Sequence, residues 1–184
     1  MANPRPSLSL VLGGARSGKS RHAEALARAS GLDLLYVATA QAYDDEMRAR
    51  IAQHQADRAN DGWTTVEEEH DLAGVVARHT EPACVVLIDC LTLWLSNRLL
   101  SKEGTEGASM EGEIDGLCAA LDARQGPVIC VSNEVGLGIV PETKLGRVFR
   151  DHQGKLNQQV AALADHVCFV AAGLPLTLKE VPHG

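Results

Sequence analysis

The feature that most constrains this chain is a glycine-rich loop set between an apolar run and an amphipathic stretch. Leu8 to Leu12 leads directly into Gly13-Gly14-Ala15-Arg16-Ser17-Gly18-Lys19-Ser20, and a helical pattern covers Lys19 to Ala29. The loop fits GxxxxGK[ST] at every fixed position, in the strand-then-helix context that gives the pattern its meaning. Gly13 and Gly18 let the backbone turn so that successive N–H groups converge on phosphate oxygens. The helix starting near Lys19 adds the positive end of its dipole. In this arrangement Lys19 neutralises β- and γ-phosphate charge, and the Ser20 hydroxyl is placed to ligate Mg²⁺. Arg16 and Arg21 flank the loop, either as further phosphate contacts or as solvated charges.

Short apolar runs alternate with helical patterns along the rest of the chain. Leu34 to Ala38, Cys84 to Ile88, Val128 to Val131 and Val167 to Ala171 are almost uniformly apolar, as strands covered on both faces must be. Helical patterns cover Asp44 to Ala59, Asp71 to Arg78, a region from about Leu91 to Arg124, and Lys144 to Ala164. This alternation predicts an α/β fold, a mostly parallel sheet with right-handed crossovers and helices on both faces. A last run, Leu176 to Lys179, follows Gly173 and Pro175 too closely for a crossover helix, which predicts an antiparallel edge strand. Residues 1–7 read as an N-terminal extension and residues 8–184 as one nucleotide-binding domain. The stretch Ser101 to Gly112, rich in Gly, Glu and Ser, reads as a surface excursion.

Composition narrows the classes of partner. Seventeen Lys plus Arg against 24 Asp plus Glu give a net charge of −7, which argues against nucleic acid as the partner. No apolar run approaches the roughly 18 residues needed to span a bilayer, and Met1 to Ser7 has no signal-peptide core, so a cytoplasmic enzyme is expected. The five cysteines, Cys84, Cys90, Cys118, Cys130 and Cys168, lack metal-ligand spacing and read as small buried hydrophobes.

A phosphate cradle needs an acidic partner at the end of a neighbouring strand. Asp89, which ends Cys84-Val85-Val86-Leu87-Ile88, is the candidate second metal ligand; its other reading is the cap of the next helix. Further on, Arg50, His54 and Arg58 are spaced i, i+4, i+8, which places an imidazole between two cations on one helix face. That face suits a nucleophile approaching an α-phosphate. Met47 and Ile51 fall near it, so a half-buried histidine at the core edge also fits. Glu134 to Pro141 is a Gly-rich loop leaving a strand on the side where open α/β sheets bind ligands.

Four segments taken together are more specific than the cradle alone. They are the loop Gly13 to Arg21; Ala38-Thr39-Ala40-Gln41 with Asp44 to His54; Ser132-Asn133-Glu134-Val135-Gly136-Leu137-Gly138-Ile139-Val140-Pro141-Glu142; and Phe149-Arg150-Asp151 with Asn157-Gln158. Their order and spacing, from about Leu8 to Lys179, resemble the bifunctional adenosylcobinamide kinase / adenosylcobinamide-phosphate guanylyltransferase family. The resemblance implies a RecA-like P-loop fold and a homotrimer. It implies phosphorylation of adenosylcobinamide, a corrinoid, with ATP or GTP, then transfer of GMP from GTP through a guanylylated histidine. Carried over, that histidine is His54. The nucleotide contacts fall on Gly13, Gly14, Ala15, Arg16, Ser17, Gly18, Lys19 and Ser20, on Thr39, Ala40 and Gln41, on Gln55, Ala56, Asp57 and Arg58, and on Glu67 and Asp89. Two other readings compete: a P-loop kinase acting once on another small alcohol, and a nucleotide-dependent switch or binding module.

Overall fold

The computed structural model describes residues 6–41, 61–101 and 109–181. Seven strands form one sheet in the order β3-β2-β4-β5-β1-β6-β7. They are β1 (Leu8–Gly13), β2 (Asp33–Ala38), β3 (Trp63–Glu67), β4 (Cys84–Asp89), β5 (Val128–Asn133), β6 (His166–Ala171) and β7 (Leu174–Glu180). The described helices are α1 (Lys19–Ala29), α2 (Leu72–His79), α3 (Leu91–Ser101), α4 (Met110–Asp122) and α5 (Lys144–Leu163). Every pairing is parallel except β6 with β7.

Strand alternation sorts the core into two layers. Leu8, Leu10, Val86, Ile88, Val128 and Cys130 pack against α2 to α5 through Leu72, Leu91, Trp94, Ile114, Leu117, Leu156 and Val160. Val11, Tyr36, Val85, Leu87, Ile129 and Val131 face the other way and pack against Ala23 and Ala27 of α1. Because α1 turns small side chains to the sheet, it lies close, and its first residue arrives at the cradle. The chain leaving β1 crosses by α1 to β2, and the chain leaving β5 crosses by α5 to β6 on the other side. The cradle therefore sits where the winding reverses, the usual ligand position in such sheets.

Three points differ from the sequence reading. Trp63–Glu67 is a further parallel strand, beside β2. It is short and half-exposed, so it lacks the uniformly apolar run that marks the inner strands. The helical region from about Leu91 to Arg124 holds two helices, α3 and α4, and the second ends at Asp122. Of the expected excursion, Ser101 closes α3, and Ser109 caps α4 by accepting from Gly112 N–H at 3.2 Å. Gly112 is thus helical, held by a side-chain cap that outweighs the loop-like composition.

The antiparallel edge strand is present and begins at Leu174, two residues before the expected start. Ala172 and Gly173, with φ of 51° and 79°, make a two-residue turn whose left-handed pair matches the twist of the flanking strands. That turn reaches the cradle, where Gly173 N–H donates to Ser17 O at 2.8 Å.

Candidate functional site

The cradle is shaped by close approaches that only glycine allows. A Cβ on Gly13 would lie 2.6 Å from the Val170 carbonyl oxygen, and one on Gly18 would lie 3.2 Å from Gly173 Cα. Gly18 also carries φ 95° as the residue preceding α1, and Arg16 adopts φ 55°. Lys19 is 9% exposed, and its Nζ donates to Gly14 O at 3.2 Å across the loop. Its ammonium is thus already held over the loop. Arg16, Ser17, Gly18, Lys19, Ser20 and Arg21 line a cavity of about 540 Å³, closed on one side by Ala172 and Gly173. Ser17 Oγ is buried with no hydrogen-bond partner among the described residues.

Register gathers the other candidates along the same edge of the sheet. Ala38 pairs with Glu67 on one side and with Asp89 on the other, so Thr39 to Gln41 leave the sheet between those two carboxylates. Asp89 Oδ2 accepts from the Tyr36 hydroxyl at 2.9 Å. Thr39 is fully buried; its hydroxyl accepts from Cys90 N–H at 2.7 Å and donates to Cys90 O at 2.8 Å. Asn97 Nδ2 donates to Thr39 O at 2.9 Å. The hydroxyl of Thr39 is therefore spent on fixing the turn that follows Asp89. Gln41 Nε2 donates to Glu69 Oε2 at 2.8 Å. Burial, with the Asp89 carboxylate beside it, pushes the Cys90 thiol up to about 11, so it stays protonated and inert at neutral pH.

Ser20 and Asp89 offer a hydroxyl and a carboxylate, the hard oxygen donors that Mg²⁺ accepts beside phosphate oxygens and water. No group of three or more His, Cys, Asp or Glu that could hold a metal occurs among the described residues. His54, Gln55, Ala56, Asp57 and Arg58 lie outside the described residues.

Sequence reasoning missed Tyr36, whose ring is read as core, and the contact of the β6–β7 turn with the cradle. It also missed a buried polar cluster of Thr92, Ser132, Gln153 and Asn157 behind β5. An available signal was Gln153 and Asn157, four residues apart on a helix face that otherwise presents Leu156 and Val160 to the core.

The sequence matches the family described as cobinamide kinase / cobinamide phosphate guanyltransferase over residues 9–178. The bifunctional adenosylcobalamin biosynthesis protein CobP of Pseudomonas aeruginosa is 47% identical over 173 residues, spanning 94% of this chain and 98% of that protein. The bifunctional adenosylcobalamin biosynthesis protein CobU of Escherichia coli is 43% identical over 180 residues, spanning 92% and 98%. Among solved structures, the RadB recombinase aligns with a TM-score of 0.50 at 16% identity, covering 89% of this chain and 73% of its own. The Pyrococcus horikoshii protein PH0250 aligns at 0.56 and 11% identity, covering 97% and 89%. These two likenesses speak for the P-loop α/β fold alone. The extent and identity of the sequence matches place the chain in the cobinamide kinase / cobinamide phosphate guanyltransferase family.

Proposed function

We propose that this chain carries out both reactions of its family on adenosylcobinamide. In the first, the aminopropanol hydroxyl of the corrinoid attacks the γ-phosphorus of ATP or GTP, and the nucleoside diphosphate leaves. The observation that carries this reading is the cradle, with buried Lys19 spanning the loop and Asp89 two strands away on the same sheet edge. Gly13 to Ser20 bind and orient the phosphates, and Lys19 balances the charge that builds on the departing diphosphate. Ser20 and Asp89 would hold Mg²⁺, which when bound adds charge neutralisation across the β- and γ-phosphates.

In the second reaction an imidazole nitrogen of His54 attacks the α-phosphorus of GTP and pyrophosphate leaves. A phosphate oxygen of adenosylcobinamide phosphate then displaces the histidine, giving adenosylcobinamide-GDP. The division into two displacements suits histidine, a nucleophile when neutral and a good leaving group when protonated. Thr39, Ala40, Gln41, Gln55, Ala56, Asp57, Arg58 and Glu67 complete the proposed nucleotide contacts. The loop after β5, which starts where Glu134 N–H donates to Gly13 O at 3.2 Å, exposes Leu137, Ile139 and Val140, apolar surface suited to a corrin macrocycle. A homotrimer in the cytoplasm completes the reading; no helix among the described residues is long and apolar enough to cross a membrane.

GTP labelled at the α- or γ-phosphate, with and without adenosylcobinamide, tests this. The γ-label should pass to the corrinoid, and the α-label should remain on the protein in acid-labile, alkali-stable form. His54→Ala should lose the protein label and guanylyl transfer, and keep the kinase step. Label persisting in His54→Ala would overturn the nucleophile; no transfer to the corrinoid from either position would overturn the reading.

A further inference from the structure

Strands β2, β3 and β4 end level, since Ala38 pairs with Glu67 on one side and with Asp89 on the other. Two loops leave the sheet there, Thr39 to Gln41 after β2 and Glu68 to His70 after β3. The last bonds between strand ends run from Thr39 N–H to Asp89 O at 3.2 Å and from Glu68 N–H to Ala38 O at 3.0 Å. Beyond them the buried loop carbonyls need donors from another element.

Helix α3 supplies those donors. Trp94 and Asn97 stand three residues apart on its buried face, 2% and 3% exposed. Trp94 Nε1 donates to His70 O at 2.8 Å. Asn97 Nδ2 donates to Thr39 O at 2.9 Å and to Glu69 O at 3.3 Å, so one side chain ties the two loops together. An amide nitrogen carries the two hydrogens that this requires. The loops also meet directly, through Gln41 Nε2 and Glu69 Oε2 at 2.8 Å. The helix is itself anchored beside Asp89, because Cys90 N–H and O are both bonded to the Thr39 hydroxyl just before α3 begins.

The two proposed reactions use these parts differently. Phosphoryl transfer calls on the cradle after β1 and on Asp89 of β4. The proposed contacts Thr39, Ala40, Gln41 and Glu67 belong to β2 and β3, three and four strands from β1, or about 14 and 19 Å along the sheet edge. That placement serves the nucleoside rather than phosphates on the cradle. Glu67 is exposed and brings a carboxylate, which accepts from the adjacent ring N–H and amino group of guanine. Adenine presents no such pair of donors.

We propose that Asn97 is a positioning residue for base selection: by holding Thr39 and Glu69 it sets the wall that takes the guanosine of GTP, and the phosphate cradle works without it. This role rests on the guanosine contacts proposed above and supplies the group that fixes their spacing.

Calorimetry with Mg²⁺ and the β,γ-imido analogues of GTP and ATP tests it, with guanylyl transfer to adenosylcobinamide phosphate as a second readout. Asn97→Leu keeps nearly the same volume and loses both donors. It should weaken the GTP analogue about tenfold, the scale of one or two hydrogen bonds, and leave the ATP analogue within about twofold. The KM for GTP in guanylyl transfer should rise by a similar factor with little change in kcat. Asn97→Ser keeps one donor, should move the same ratio by less, and serves if Asn97→Leu melts early. Asp165→Asn, at the opposite edge of the sheet, controls for lost stability and should keep the wild-type ratio. An unchanged ratio in both Asn97 variants, equal loss of both analogues, or the same shift in Asp165→Asn would overturn the role of Asn97. Wild-type protein that binds the two analogues alike would overturn the guanosine contacts themselves.

Discussion

The hydroxyl of Tyr36 donates a 2.9 Å hydrogen bond to Oδ2 of Asp89 across the β2–β4 pair. The Tyr36 ring is 7% exposed and meets Trp63 edge to face at 5.8 Å, with the Arg28 guanidinium 5.5 Å from the Trp63 ring centre. The phenol cannot swing away without losing that packing, so one oxygen of the carboxylate is engaged and the orientation of the other is set. A tyrosine that belongs to the core by its ring thereby holds, by its oxygen, the carboxylate proposed for the nucleotide site.

Tyr36→Phe isolates that oxygen. We predict a stability loss of about 1 kcal/mol by denaturant titration, the net value of one hydrogen bond, because the ring contacts are kept. The Mg²⁺ concentration for half-maximal phosphoryl transfer should rise several-fold with little change in the rate at saturation. A metal titration that superimposes on wild type would show that Asp89 needs no help from Tyr36.

Asp89→Asn should keep the hydrogen bond from Tyr36 and remove the charge. The expected outcome is a larger rise in Mg²⁺ requirement than in Tyr36→Phe, with the thermal midpoint nearly unchanged. If the metal titration is unaltered, Asp89 is a strand-end residue without a metal role.

Lys19→Ala removes the one ammonium held across the loop. Charge stabilisation is the main lever in phosphoryl transfer, and a single such group is worth roughly 100- to 1000-fold in rate. Product formation from γ-labelled nucleotide should fall by at least about 100-fold while circular dichroism stays that of wild type. Turnover near the wild-type rate would exclude the cradle as the site of transfer.

Much of this was legible in the sequence because it is local. The loop Gly13 to Ser20, its flanking strand and helix, and Asp89 at a strand end are each written in consecutive residues. The inner strands announce themselves because burial on both faces leaves their middles almost uniformly apolar. Trp63–Glu67 did not, since an edge strand keeps exposed residues, and Gly112 did not, since a serine three residues earlier caps a helix that glycine would weaken. The contacts of Tyr36 with Asp89, of Gly173 with Ser17 and of Asn157 with Asn133 depend on strand order and register. No spacing in the chain encodes those. Gln153 and Asn157 were visible as polar residues on an apolar helix face, but their partners were not.

The last prediction concerns the opposite edge of the sheet, away from the chemistry. Arg124, with a fully buried side chain, donates from one guanidinium nitrogen to Leu121 O at 2.8 Å and from another to Asp165 Oδ2 at 3.1 Å. The same carboxylate oxygen accepts from Leu8 N–H at 2.8 Å, so this one group joins the end of α4 to the starts of β1 and β6. Asp165→Ala would take one carboxylate partner from a buried guanidinium, which costs up to about 3–5 kcal/mol. For a chain of this length each kcal/mol lowers the melting temperature by about 2–4 °C, so a fall of roughly 6–20 °C is expected. Asp165→Asn keeps an acceptor for Leu8 and should fall in between. Replacing both partners, Arg124→Met with Asp165→Ala, should recover part of the loss, because the uncompensated charge goes with the arginine. Guanylyl and phosphoryl transfer by Asp165→Ala, assayed well below its melting temperature, should match wild type. A variant as stable as wild type would mean that water reaches Arg124 and carries its charge. A stable variant with impaired transfer would instead tie this edge of the sheet to the site at the other.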